Sequence, residues 1–328
     1  MLFIFGQFNF MPEAFKLKIP AGFPDPLIPE GNPLTKASVE LGRELFFDTF
    51  MSRDSSVSCA SCHHPHRAFT DGLSRSRGIK DREVGRNAPG LANVVYQTEG
   101  LLHDKGVPTL EMQILVPVQE HNEFDFNLLL IAERMKNNPL YVKLSKEAYN
   151  LEPNPYVITR SIANFERTIL SGNSRYDQFI NGDDDALSES EKAGMNLFMN
   201  ELKCTACHSG FLFSDFSLRN NALYTNAYPL DSGRMRLTHK EVDRDLFKVP
   251  GLRNIEVTGP YMHDGSFHTL GEVIDHYQSG GKSHPNKSKE IQAFVLNEQE
   301  KTNLIDFLKS LTDDEFLRNP EYTMQVRQ

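Results

Sequence analysis

The 328-residue chain contains no tryptophan and only four cysteines, and none of its apolar runs approaches the roughly 20 residues that a membrane-spanning helix needs. Its apolar start, Met1-Leu2-Phe3-Ile4-Phe5, is interrupted at Gly6 and Gln7 and lacks the charged leader and full apolar stretch of a secretory signal. No membrane span is expected, and if the protein is exported its signal has been removed or replaced. Positive charge is in deficit as well: 35 Lys and Arg stand against 44 Asp and Glu, for a formal charge of -9. This balance argues against nucleic acid as a partner and suits docking to a basic redox protein as well as plain solubility. Strand-like alternation of apolar and polar residues is scarce. What remains is the composition of a soluble globular protein, long enough for two domains of ordinary size.

The few cysteines are grouped. Each of two close pairs is followed at once by histidine, giving Cys59-Ala60-Ser61-Cys62-His63 and Cys204-Thr205-Ala206-Cys207-His208. Thiols three residues apart on one helical turn reach the two vinyl groups on one porphyrin edge, and the next side chain lies under the iron as an imidazole ligand. This is the spacing of covalent haem c attachment. A dithiol redox couple and a zinc knuckle compete with it. Zinc would want four ligands in one place, whereas the pairs lie about 145 residues apart and each has its own histidine. Two covalently bound haem c groups are therefore expected, with His63 and His208 as proximal ligands. Because haem c is attached outside the cytoplasm, the expected compartment is the periplasm or its equivalent.

Each motif is preceded by a similar amphipathic segment, Leu41-Gly42-Arg43-Glu44-Leu45-Phe46 and Ala193-Gly194-Met195-Asn196-Leu197-Phe198. Downstream, Pro89-Gly90-Leu91-Ala92-Asn93 is echoed by Pro250-Gly251-Leu252-Arg253-Asn254. His103-Asp104 with Thr109-Leu110 is echoed by His263-Asp264 with Thr269-Leu270. Helical spacing of apolar residues appears in Ile158, Ile162, Phe165, Ile169 and in Leu304, Phe307, Leu308, Leu311. The expected architecture is mainly α, with two cytochrome c-like haem domains arising from an internal duplication. The domains are assigned to residues 1–171 and 172–328, with terminal segments free to pack on the opposite domain. The join is expected near Ser171-Gly172-Asn173 or at Asp183-Asp184-Asp185, both of which carry turn or linker chemistry.

The repeat sets its own register. Seven residues beyond Leu110 stands Pro117, and seven beyond Leu270 stands Tyr277. If these positions lie over the distal faces of the two haems, Pro117 offers iron no ligand while Tyr277 offers a phenolic oxygen. One iron would be open to small molecules and the other closed for electron transfer. His276, Met262 and Met235 are alternative sixth ligands, and Tyr277 could also be an ordinary half-buried aromatic.

With its two Cys-x-x-Cys-His motifs, Arg86-Asn87-Ala88-Pro89 and Gly259-Pro260-Tyr261-Met262-His263-Asp264-Gly265, the chain resembles the bacterial di-haem cytochrome c peroxidase and MauG family over roughly residues 35 to 313. The resemblance implies an enzyme whose N-terminal haem reacts with hydrogen peroxide and whose C-terminal haem relays electrons. It places Gln113, Pro117 and Glu123 in the peroxide pocket, with Glu123 moving the proton that O–O cleavage requires and Gln113 hydrogen-bonding the bound peroxide. It also assigns a calcium site between the haems to Asn87 and the main-chain carbonyls of Thr258 and Pro260, hard oxygen donors that suit this ion.

Two departures matter. Many family members bring a distal histidine onto the N-terminal haem, yet no histidine occurs between His66 and His103. A permanently open first haem is therefore expected, with His64 and His66 read as surface or propionate-side residues. The family usually places a tryptophan before an aspartate between the haems, where this chain has His103 before Asp104. Electron transfer would then use His103 or run without an aromatic relay. Three functions compete: a peroxidase fed by a small cytochrome c or other one-electron donor, a MauG-like oxidase that uses peroxide to modify a partner protein, and an electron carrier or sensor without turnover. A homodimer is left open.

Overall fold

The computed structural model describes residues 11–224 and 231–323; the apolar start at Met1 to Phe5 lies outside the described residues. The chain is mainly helical, with α1 (Lys36–Phe47), α2 (Leu110–Gln113), α3 (Leu115–Gln119), α4 (Leu128–Lys136), α5 (Pro139–Tyr149), α6 (Pro155–Glu166), α7 (Arg175–Ile180), α8 (Glu189–Asn196), α9 (Met235–Thr238), α10 (Leu270–Gln278), α11 (Glu298–Lys309) and α12 (Asp314–Leu317). The strands named among the described residues are two short antiparallel ones, β1 (Leu218–Arg219) and β2 (Phe247–Lys248). Short polar side chains set the helix starts. Thr35 and Ser38 cap each other at α1, Asn154 caps α6, Ser188 and Glu191 cap α8, and Asn297 and Glu300 cap α11. Each such cap is worth about 1 kcal/mol.

Apolar side chains gather in two clusters. The first draws on α1 to α6 and the second on residues Leu197 to Leu311. One local geometry serves both. Gly42 of α1 lets that helix cross α6, where a Cβ would fall 1.9 Å from the Ser161 carbonyl oxygen. Gly194 of α8 lets that helix cross α11, where a Cβ would fall 1.9 Å from the Asn303 carbonyl oxygen. Four residues on, Phe46 meets Phe165 at 5.2 Å between ring centroids and Phe198 meets Phe307 at 5.3 Å. Such offset aromatic pairs add to simple area burial. Asn93 and Asn254 both take the left-handed conformation, and their N–H groups donate to Ile169 O and Leu311 O, just beyond α6 and α11.

At one of the two expected joins the chain is anchored rather than free. Ser171-Gly172-Asn173 reads as a linker, but Ser171 is buried and the segment is tied down. The Gly172 and Asn173 N–H groups donate to Asp313 Oδ2 at 2.9 Å, and Asn254 Nδ2 donates to Ser171 Oγ. The C-terminal segment then returns to the first cluster, which contains Phe316 and Tyr322. Arg86 adds a bridge across the halves, reaching Asp231 with two nitrogens at 2.5 and 2.8 Å and Asp104 at 2.8 Å.

Candidate haem sites

Cys59–Ser61 and Cys204–Ala206 each form one 3-10 turn, and the N–H of the following histidine bonds back to the first cysteine carbonyl at 3.0 and 2.9 Å. The turn presents both thiols and the imidazole together. His63 Nδ1 lies 2.7 Å from Phe69 O, and His208 Nδ1 lies 3.0 Å from Phe213 O. A carbonyl only accepts, so each Nδ1 carries the proton and Nε2 keeps the lone pair that a metal needs. Burial holds both imidazoles below their ordinary pKa, hence neutral.

The thiols are the reverse of an activated dithiol. Burial pushes Cys59 far up, Cys62 to about 12 and Cys204 to about 11, and raises Cys207. A thiolate couple or zinc centre would hold its cysteines low, and no group of three or more His, Cys, Asp or Glu gathers as a metal site among the described residues. Protonated thiols beside an oriented imidazole fit thioether attachment of a haem at each motif. Buried polar atoms without protein partners lie within electrostatic reach of the cysteines: Asp71 Oδ2 and Glu166 Oε2 at the first, Arg219 Nε and Glu290 Oε2 at the second.

Packed on α6, α2 is followed at once by α3, and the two carry Gln113 and Pro117 four residues apart, and thus on one helical face. Pro117 has no N–H for the Gln113 carbonyl, which accounts for the break at Ile114 that separates the two short helices. The loop after α3 is pinned by Ile79 N donating to Glu123 O at 2.9 Å. Gly78 permits this approach, since a Cβ there would lie 2.0 Å from Asn122 O. Burial, then the nearby Glu120, raises the Glu123 carboxyl to about 7, and Glu123 in turn acts on both Cys59 and Cys62. A carboxyl poised near neutrality can both take and return a proton.

In the second half, α10 occupies the corresponding place, begins with the corresponding cap at Thr269 and runs unbroken through Tyr277. Burial raises the Tyr277 phenol, which a hydrogen bond from Asn221 opposes, and the next influences are Cys207 and Cys204. Tyr277 thus faces the second motif. Among the alternatives, Met262 Sδ accepts from Asn221 Nδ2 at 3.1 Å, whereas His276 Nε2 donates to Asn221 O at 2.8 Å and is engaged there. Met235 lies at the start of α9.

Between the halves, His103 Nε2 donates to Asn87 O at 2.9 Å, and burial drives its pKa down to about 4. Its carbonyl accepts from Lys248 N. Asn87 Nδ2 donates to Leu73 O and Asn87 N to His263 O. Thr258 precedes the cis bond Gly259-Pro260, of which Pro260 is a part.

The sequence profile described as "Di-haem cytochrome c peroxidase" matches residues 36–185. Methylamine utilization protein MauG of Methylorubrum extorquens is 36% identical over 287 residues, covering 86% of this chain and 80% of that protein. The chain belongs to the di-haem cytochrome c peroxidase and MauG family. Cytochrome c551 peroxidase of Nitrosomonas europaea, at 32% identity over 88% of this chain and 82% of that one, lies in the same group. The solved structure of a MauG-like protein associated with microbial copper homeostasis superposes with a TM-score of 0.88, at 32% identity over 94% of this chain and 99% of that one. As a di-haem peroxidase the chain is an oxidoreductase that acts on peroxide and carries two haem c groups. No described helix is long and apolar enough to cross a membrane.

Sequence reasoning missed three residues of this di-haem peroxidase. Asn221 joins Tyr277 to Met262 and carries no sequence signal. Gly78 matters only through a contact more than 40 residues away. Glu166, 4% exposed and raised to about 8 by burial, was findable. It stands four residues after Ile162 and three before Ile169, on the apolar face of α6.

Proposed function

We propose that the first motif is the peroxide site and the second the electron-transfer site of a periplasmic enzyme that reduces hydrogen peroxide to water with electrons from a small cytochrome c or similar donor. The observation that carries this reading is the Glu123 carboxyl, half-buried within electrostatic reach of Cys59 and Cys62 and raised by desolvation to about 7. Haem iron, when bound, supplies the centre at which the O–O bond opens and through which electrons pass. Glu123 takes a proton from the oxygen nearer the metal and returns it to the departing oxygen. Gln113 orients the peroxide by hydrogen bonding, and Pro117 leaves the distal face free. At the second site Tyr277, beside Asn221, would hold the iron together with His208, and His103 would lie on the electron path between the halves.

The two halves, residues 1–171 and 172–328, are cytochrome c-like domains that arose by duplication; the repeated Gly42/Phe46 and Gly194/Phe198 crossings support this. A calcium ion between them would take the Asn87 side chain with the Thr258 and Pro260 carbonyls. A steady-state assay with peroxide and reduced cytochrome c tests the reading. Turnover supports it, whereas bleaching of the haems without donor oxidation would overturn it. One observation favours a second reading, a MauG-like oxidase acting on a partner protein. A phenolic group facing the second motif suits storage of an oxidising equivalent better than a thioether does.

A further inference from the structure

Any path for an oxidising equivalent across this protein must do without tryptophan, and His103 is a poor stand-in. An imidazole is much harder to oxidise by one electron than a phenol whose proton has an acceptor at hand. The structure contains such a phenol beside the second site. Tyr224 O–H donates to Asp264 Oδ2. The carboxylate is 8% exposed and is held by the Ser266 N–H on its other oxygen at 3.1 Å.

The surroundings connect this pair to both halves. Tyr224 meets His263 edge to face at 6.4 Å, and the His263 ring stacks on Phe247 at 3.8 Å with 14° between planes. The Arg86 guanidinium lies over Phe247 at 5.6 Å and also binds Asp104, next to His103. In the other direction Tyr224 follows Asn221 by three residues, and Asn221 donates to Met262 Sδ at 3.1 Å and acts on the Tyr277 phenol. Asn221, Tyr224, Phe247 and His263 line one small cavity.

We propose that Tyr224, with Asp264 as its proton acceptor, is an oxidisable relay that holds one of the two oxidising equivalents delivered by peroxide. The proposal rests on the peroxide reading above. In the step, one electron leaves the Tyr224 ring for the oxidised haem pair and the phenol O–H bond breaks. Its proton moves to Asp264 Oδ2, leaving a neutral tyrosyl radical beside a carboxylic acid. One electron from the one-electron donor then restores the phenol, and the proton returns from Asp264.

The test mixes ferric holoprotein with stoichiometric hydrogen peroxide and no donor, freezes the mixture and records electron paramagnetic resonance beside the haem absorbance. The expected result is an organic radical whose spectrum narrows when the tyrosine rings are deuterated. It is lost in Tyr224→Phe and forms more slowly in Asp264→Asn, while the haem absorbance still responds to peroxide in both. Tyr141 also donates to a carboxylate, Asp48, but packs against Phe50 in the first cluster. Tyr141→Phe should keep the radical. An unchanged radical in Tyr224→Phe with full haem content, or no tyrosyl radical in a parent protein whose haems respond, overturns the proposal and leaves the peroxide reading intact. A parent whose haems ignore peroxide overturns both.

Discussion

Around His63 and around His208 the chain builds nearly the same thing. Each imidazole donates Nδ1–H to the carbonyl of a phenylalanine, Phe69 or Phe213, and each of those rings meets its helix partner, Phe46 or Phe198, at 5.9 or 6.0 Å. The wider surroundings of the two motifs differ. The first half has a helix broken before a proline and a carboxyl raised to about 7; the second has an unbroken helix that carries a half-buried phenol. The local charge differs as well. Glu166, Asp71 and Glu123 act on the first pair of thiols, whereas Arg219 is the leading electrostatic influence on Cys207. A scaffold that holds a haem leaves its chemistry to a handful of side chains on the far face, and substitutions there should separate the two sites.

The largest expected effect is at Glu123. Glu123→Gln should keep both haems and lower peroxide turnover by a factor on the order of 10² to 10⁴, measured at saturating donor. The sign of its pH dependence follows from its raised pKa. The carboxylate must be ionised to accept the proton, so kcat/KM should rise as pH passes through about 7 and level off above it. In Glu123→Gln that limb should vanish. Tyr277→Met should act on the other site alone. Anionic oxygen favours ferric iron more than thioether does, so the potential of the second haem should rise in a potentiometric titration while the first is unmoved. No change in potential or low-spin spectrum would direct attention to Met262.

Stability offers the complementary test, because it should not distinguish the sites. Gly42→Ala and Gly194→Ala each place a Cβ 1.9 Å from a backbone oxygen and should cost similar amounts, roughly 1–3 kcal/mol each in chemical denaturation. A large asymmetry would break the parallel between the crossings. The smallest effect concerns Glu166, which belongs to the first site only. Its folded pKa, about 8, lies above the ordinary 4.5, so the folded state binds the extra proton between these values and stability falls as pH rises through that window. Glu166→Gln should therefore gain more in Tm at pH 8 than at pH 5.

Much of this was legible in the sequence because covalent haem attachment demands a fixed spacing and helices on a core show their period. The runs Ile158 to Ile169 and Leu304 to Leu311 mark the crossing helices α6 and α11, and Leu110 and Leu270 each open a Thr-capped helix. The rest depends on contacts distant along the chain. Ser171-Gly172-Asn173 has linker chemistry but becomes a buried anchor because Asp313, about 140 residues later, needs its N–H groups. Asn221 looks like any surface amide until α10 brings Tyr277 against it.

On the proposed reading one shared scaffold holds one open and one closed iron. Electron paramagnetic resonance of the untreated ferric holoprotein tests it directly. One high-spin and one low-spin haem in about equal amount is the result expected from Pro117 opposite Tyr277. Two low-spin signals would contradict it, because some ligand would then close the first site, and two high-spin signals would contradict it equally, because Tyr277 would not be bound.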